Sequence, residues 1–217
     1  MKILILSLIL LCAVAKLYAQ KKYDITLIAS PQVSWMASDS KYIHSGKSLL
    51  GYDLGVEGDF FLHSDTYLIV TGMTLSTVGG SLVYNRPMPF DGKVLRSGTT
   101  VDYYLTDLEF PLALKMRTRN FSRVRYFAQY GITNWVNLRT KATASDTIFQ
   151  KQVVKHEVRF YNIGLNIGTG VDYDLGHGNG LTAGLVYCVG FSDTTTKSRQ
   201  KNNTSLNILR LRVGYVF

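Results

Sequence analysis

Asp39, Ser40, His44 and Ser45 lie within one short stretch and hold the parts of a nucleophile relay. A hydroxyl, an imidazole to take its proton and a carboxylate are chemically sufficient to activate an attacking oxygen. His63-Ser64-Asp65 repeats the set in three consecutive residues. Proximity in sequence does not supply geometry, however, and no recognisable motif surrounds either trio. Gly176-His177-Gly178-Asn179-Gly180 is as glycine-rich as a phosphate loop, but it joins two strand-like segments and opens no helix, so it reads as a turn. No Walker-type loop, dinucleotide fingerprint, zinc spacing or calcium loop is present. His44, His63, His156 and His177 stand apart from one another, and neither a metal nor a cofactor is expected. Cys12 falls in the apolar leader described below, and the residues before it, Ile9, Leu10 and Leu11, are not those of a lipidation site. Cys188 then has no partner for a disulfide and reads as a small apolar wall residue. The chain is expected not to be an enzyme.

A second kind of chemistry comes from charge. Arg210 and Arg212 are two residues apart, so on a strand both point to one face. Asp53, Glu57, Asp59, Asp107, Glu109, Asp172 and Asp174 oppose them and Lys115 and Arg125 on the polar faces of other strand-like segments. Such a set can neutralise itself in a confined space. The formal net charge is +9, a balance that suits an anionic partner. Its surplus lies mainly outside the strands. Lys141, Lys151, Lys155 and His156 fall in one long connection, and Lys197, Arg199 and Lys201 in another.

The elements that would position these groups are strands. The 217 residues suffice for one domain. Residues 1–19 read as a secretory signal: Lys2, an apolar run from Ile3 to Val14, and a cleavage site after Ala19, with Ala15 as the alternative. The rest, 20–217, alternates with a period of two. Leu209, Leu211, Val213, Tyr215 and Phe217 share one face, and Ile208, Arg210, Arg212, Gly214 and Val216 the other. The same rhythm runs through 181–191, 161–175, 104–115 and 50–62, and 26–36, 67–75 and 125–136 bring the number of segments to eight.

Alternation alone does not say which face points inward. Four features turn the apolar face outward, toward lipid. The polar row is rich in glycine, which fits a crowded interior. That row mixes charges of both signs. Tyr67, Tyr126, Tyr173 and Phe217 would form one aromatic girdle, and Trp35, Tyr104, Tyr161 and Phe191 the other. Finally, short connections at 63–65, 117–122 and 176–179 alternate with long ones at 37–48, 76–99, 139–156 and 192–204. The expected fold is an all-β, eight-stranded antiparallel up-and-down transmembrane barrel in the outer membrane, with its long loops outside. Its closed ladder leaves no backbone group unsatisfied in hydrocarbon.

The segment Tyr104-Leu105-Thr106-Asp107-Leu108-Glu109-Phe110-Pro111-Leu112-Ala113-Leu114-Lys115 resembles a motif of the PorT-like outer-membrane β-barrel family. Tyr126-Phe127-Ala128-Gln129-Tyr130-Gly131, the glycine-rich 162–170 and the terminal Arg210-Leu211-Arg212-Val213-Gly214-Tyr215-Val216-Phe217 resemble it too. The first strand departs from it, since Ile28-Ala29-Ser30-Pro31-Gln32-Val33-Ser34 lacks the family's opening glycines. The resemblance implies an outer-membrane barrel whose last strand, through Tyr215 and Phe217, is the signal read by the barrel-assembly machinery. Only some members of that family are linked to type IX secretion or gliding.

For the interior, a lumen network of Asp53, Glu57, Asp107, Glu109, Lys115, Asp172, Arg210 and Arg212 is expected to fill the barrel. The role expected is structural or interactive. Lys141, Lys151, Lys155, Lys197, Arg199 and Lys201 are the expected contacts to lipopolysaccharide, and secretion-system or other envelope proteins are further partners. Nucleic acid is not expected as a partner. A narrow pore for small solutes is the alternative, and a lipid-modifying enzyme of the outer leaflet a distant one.

Overall fold

The computed structural model describes residues 23–62, 65–90, 93–145, 152–154, 158–191 and 204–217. The leader, His63, Ser64, Lys151, Lys155, His156, Lys197, Arg199 and Lys201 lie outside the described residues. Among the described residues twelve strands run in chain order: β1 (Tyr23–Ser38), β2 (Ile43–Ser45), β3 (Leu49–Phe61), β4 (Tyr67–Tyr84), β5 (Met88–Phe90), β6 (Lys93–Leu95), β7 (Thr99–Arg117), β8 (Val124–Ala144), β9 (Gln152–Val153), β10 (Tyr161–Gly176), β11 (Asn179–Gly190) and β12 (Thr204–Val216). Eight of them are long. They pair antiparallel in the order β10-β11-β12-β1-β3-β4-β7-β8, and β8 pairs back to β10, so the sheet closes on itself. The closing seam between the chain ends is β1 with β12, in register from Thr26 opposite Val216 to Ser38 opposite Thr204.

The faces follow the alternation. Leu181, Leu185, Leu209, Leu211, Val213, Ile167 and Leu112 are each about half exposed on the outer wall. A continuous apolar girdle of this kind would be unstable in water and fits hydrocarbon. No helix among the described residues is long and apolar enough to cross a membrane, a test that does not bear on strands. The narrow interior depends on missing side chains. A Cβ placed on Gly164 would lie 2.6 Å from the Trp135 ring, and one on Gly170 would lie 2.6 Å from the Phe127 ring. The two glycines make room for large aromatics that reach inward from the neighbouring strand β8.

The long connections are the main departure from the sequence reading. Residues 76–99 are not a loop. Here β4 continues to Tyr84, β5 and β6 form a hairpin, and β7 starts at Thr99. Likewise β8 runs on to Ala144, where a loop was expected from 139. In these extensions the two faces exchange character. Val78, Leu82, Tyr84, Val101, Tyr103 and Leu105 point inward and are buried, while Thr77, Thr100, Asp102 and Thr106 point outward. This is the pattern of a sheet whose outside is wet.

Candidate functional site: a filled lumen and its outer rim

Period-two geometry on β12 sends both Arg210 and Arg212 into the lumen, where they are buried. The Arg210 guanidinium donates two hydrogen bonds to Glu109 on β7, at 2.9 and 2.8 Å, and its Nε donates to Gln32 on β1 at 3.0 Å. Asp53 on β3 lies 3.2 Å from the same guanidinium. Strands β12 and β7 stand four places apart in either direction around the barrel. This fork-to-fork pair therefore crosses the whole lumen. The Trp135 Nε1 also donates to Glu109, at 3.1 Å.

Toward the short-turn end a second layer follows. Arg212 is paired with Glu57 on β3 and donates to Gln129 on β8. A third layer lies below it. Lys115 reaches Asp59 at 2.9 Å and Asp172 at 3.5 Å, with its ammonium 4.3 Å from the centre of the Phe127 ring. Arg117 reaches Asp59 at 2.5 Å, Asp172 at 2.7 Å and Asp24 at 3.2 Å. Asp59 belonged to the opposed charges of the polar row, but Arg117 and Asp24 were not expected in the network. Arg117 had been placed in a turn and Asp24 before the first strand, because strand ends carry the weakest alternation.

Asp107 differs from the expectation in another way. It is buried, but it accepts a hydrogen bond from the Asn137 amide at 2.6 Å instead of pairing with a cation. Asn137 in turn accepts from Thr140 at 2.9 Å. Between them the β7–β8 register slips: Asp107 faces Asn137, but Thr106 faces Arg139, so Leu138 is an extra residue. Such a bulge reverses the parity of everything beyond it. Arg139 and Lys141 would have pointed into the lumen on an unbroken β8. They point outward instead, beside Thr106 and Tyr104.

Toward the long-loop end the filling is apolar. Met36, Val78, Leu82, Phe90, Leu95, Val101, Tyr103, Leu105, Trp135, Leu206 and Ile208 form one buried cluster. Phe90 of the β5–β6 hairpin packs edge-on against Tyr103, ring centres 6.1 Å apart, so the hairpin folds over the mouth. Cys188 is free, buried and part of the same cluster. Between the apolar and ionic layers a void of about 10 Å³ touches Arg210, Arg212 and Cys188, room for about one water. At the other end the lumen opens as a vestibule of about 340 Å³ bordered by Asp24, Arg117, Arg125, Asp172 and His177.

Of the relay candidates, Asp39, Ser40, His44 and Ser45 are described and form no relay, while His63 and Ser64 lie outside the described residues. The Ser40 hydroxyl accepts from the Tyr42 amide at 3.2 Å, and His44 and Ser45 are exposed on β2. Among the described residues no serine–histidine hydrogen bond forms, and no three His, Cys, Asp or Glu side chains are grouped to hold a metal. His177 sits in a tight turn with φ of 57°, flanked by Gly176 and Gly178 at 87° and 83°. Tyr215 and Phe217 lie together on the outer wall, ring centres 4.8 Å apart, and the Phe217 amide donates to Ile25 at 2.8 Å.

A closed strand ladder, an apolar outer wall and an ion-paired interior define a small transmembrane β-barrel. The chain belongs to the outer membrane protein beta-barrel domain family, whose model matches residues 19–196. Its place is accordingly the outer membrane. A comparison with curated protein sequences finds no match. Among solved structures the chain is similar to Neisserial surface protein A, with 12% identity, 88% of this chain and 95% of that one covered, and a TM-score of 0.47. It is similar also to OprG from Pseudomonas aeruginosa, with 11% identity, 90% and 96% covered, and a TM-score of 0.48. A third is Ail of Yersinia pestis in complex with the heparin analogue sucrose octasulfate, with 14% identity, 90% and 99% covered, and a TM-score of 0.42.

Proposed function

We propose that this protein is a non-conducting barrel of the outer membrane whose role is structural and interactive. Its lumen supports the wall, and its outer surface engages lipopolysaccharide and envelope partners. The observation that carries this reading is the Arg210–Glu109 fork across the full width of the barrel. Arg212 and Arg117 layers lie below it, and an apolar plug lies above. Between the vestibule and the apolar mouth lies a void of about 10 Å³ beside Arg210, Arg212 and Cys188, room for about one water. Buried, paired charges of this kind specify one packing more than they add stability.

The orientation completes the reading. Both ends of the barrel sequence, Tyr23 and Phe217, lie on the short-turn side, which we assign to the periplasm. The extended strands then stand outside the cell. Residues 1–19 act as the export signal in this scheme, and Tyr215 and Phe217 offer the assembly machinery an outward aromatic pair. The PorT-like features of β7 and β12 support a link to envelope machinery such as a secretion system. Liposomes containing the purified barrel test the closed lumen. Efflux of small sugars and ions should be no faster than from empty liposomes. Rapid efflux would favour a narrow pore instead.

A further inference from the structure

The bulge at Leu138 has placed two cations on the outer wall, and what they border is a groove. Its volume is about 410 Å³, and it runs across four strands, from Leu49, Leu50 and Tyr52 on β3, over Thr77 on β4 and past Tyr104 on β7, to Arg139 and Lys141 on β8. The groove exists because β3 leaves the ladder early. The β3–β4 register ends with Asp53 opposite Ser76. Beyond it the Thr77 hydroxyl replaces the ladder, accepting from the Tyr52 amide at 2.9 Å. Leu50, which lines the groove, is 87% exposed, more than any other large apolar side chain among the described residues.

The height of the groove identifies its occupant. From Met116 at the short-turn rim to Thr106 there are ten residues of β7, which at a tilt of about 40° rise about 25 Å. This is the thickness of the apolar band of an outer-membrane barrel. Arg139 and Lys141, opposite Thr106 and Tyr104, thus stand at its outer edge, where headgroups begin. Neither forms an ion pair among the described residues. Leu50, Tyr52 and Tyr104 line the same groove beside them and offer apolar contact. An amphiphile with an anionic head and hydrocarbon chains matches both halves.

We propose that this groove binds a phosphorylated lipid of the outer leaflet, of the lipid A class. One phosphate is taken between Arg139 and Lys141, and an acyl chain lies along Leu50 and Tyr52. This rests on the orientation given above and deepens the lipopolysaccharide reading. Of the cations first expected to make that contact it retains Lys141, and it adds Arg139. It also gives the bulge a purpose, since Asp107 and Asn137 hold the register that turns both cations outward.

Native mass spectrometry of the full barrel released from detergent tests it, with bis-phosphorylated lipid A, its dephosphorylated form and phosphatidylethanolamine as probes. The wild type should retain bis-phosphorylated lipid A in preference to the other two. Arg139→Gln with Lys141→Gln should reduce that retention about tenfold or more. Arg139→Lys should keep most of it, and Arg119→Gln with Arg123→Gln, exposed on the short-turn side, should leave it unchanged. Equal retention of dephosphorylated lipid, or loss only in the Arg119/Arg123 variant, would overturn the proposal. The liposome efflux result is independent of all of these, so a conducting lumen would fail the scaffold reading while leaving the groove standing.

Discussion

Strands β4, β7 and β8 each pass through two environments, and the character of their two faces changes accordingly. In the lower part of β7, Leu108, Phe110, Leu112 and Leu114 point out, while Glu109, Lys115 and Arg117 point in. In the upper part of the same strand, Val101, Tyr103 and Leu105 point in, while Thr100, Asp102 and Thr106 point out. The backbone geometry is continuous across the change. What differs is the solvent: hydrocarbon below, which requires an apolar outside, and water above, which requires an apolar inside. One barrel therefore holds two kinds of core. The lower is ionic, directional and intolerant of losing one partner. The upper is apolar and depends on volume.

The two cores should break differently. The largest effect is expected for Glu109→Ala. It leaves the buried Arg210 with Asp53 as its one acidic partner beside Gln32, and removing one partner of such a pair costs about 3–5 kcal/mol. Denaturant unfolding in micelles would read this as a large fall in midpoint. Replacing both partners, with Arg210→Met and Glu109→Leu, should restore most of the loss, since well-packed apolar substitutes are often neutral or better. If the double variant were as unstable as the single one, the lower core would not be an electrostatic unit.

In the upper core Leu82→Ala should cost about 2–4 kcal/mol by leaving a cavity. No second substitution of a charge elsewhere should repair it. Retained stability there would mean that the apolar cluster is loosely packed. Smaller again is Gly164→Val, expected to cost about 1–3 kcal/mol by driving a side chain into the Trp135 ring. A shift in tryptophan emission, measured beside the midpoint, would show that the ring had moved. At the bottom of the scale, Arg139→Gln with Lys141→Gln should change stability by no more than about 0.5 kcal/mol, because both side chains lie outside either core.

The same comparison explains what the sequence made legible. The eight long strands were readable because apolar-out and polar-in alternate over the membrane stretch, as in Leu209 to Phe217. The upper extensions were read as loops because their apolar residues face inward and their outward ones are small or polar, which breaks the expected rhythm around residues 76–99. Arg210, Arg212 and Glu109 could be placed by parity alone. Which acid meets which base could not, because Glu109 and Arg210 are separated by 101 positions and meet only once the barrel closes. Lys141 was legible as an outer cation, but its place on β8 beside an outward Arg139 was hidden by one extra residue, Leu138, whose effect on parity is not marked by glycine or proline. Trp135 as the lid over Glu109 depends on the bare backbone of Gly164 on the next strand.

The central claim is that the two cores together close the lumen. Single-channel recording across a planar bilayer containing the purified wild-type barrel tests it most directly. Baseline current with no stable openings, under conditions where the same preparation is inserted and resists denaturation, is the predicted result. Reproducible unitary openings from that folded protein would show that ions pass the Arg210–Glu109 layer and the apolar plug, and would contradict it.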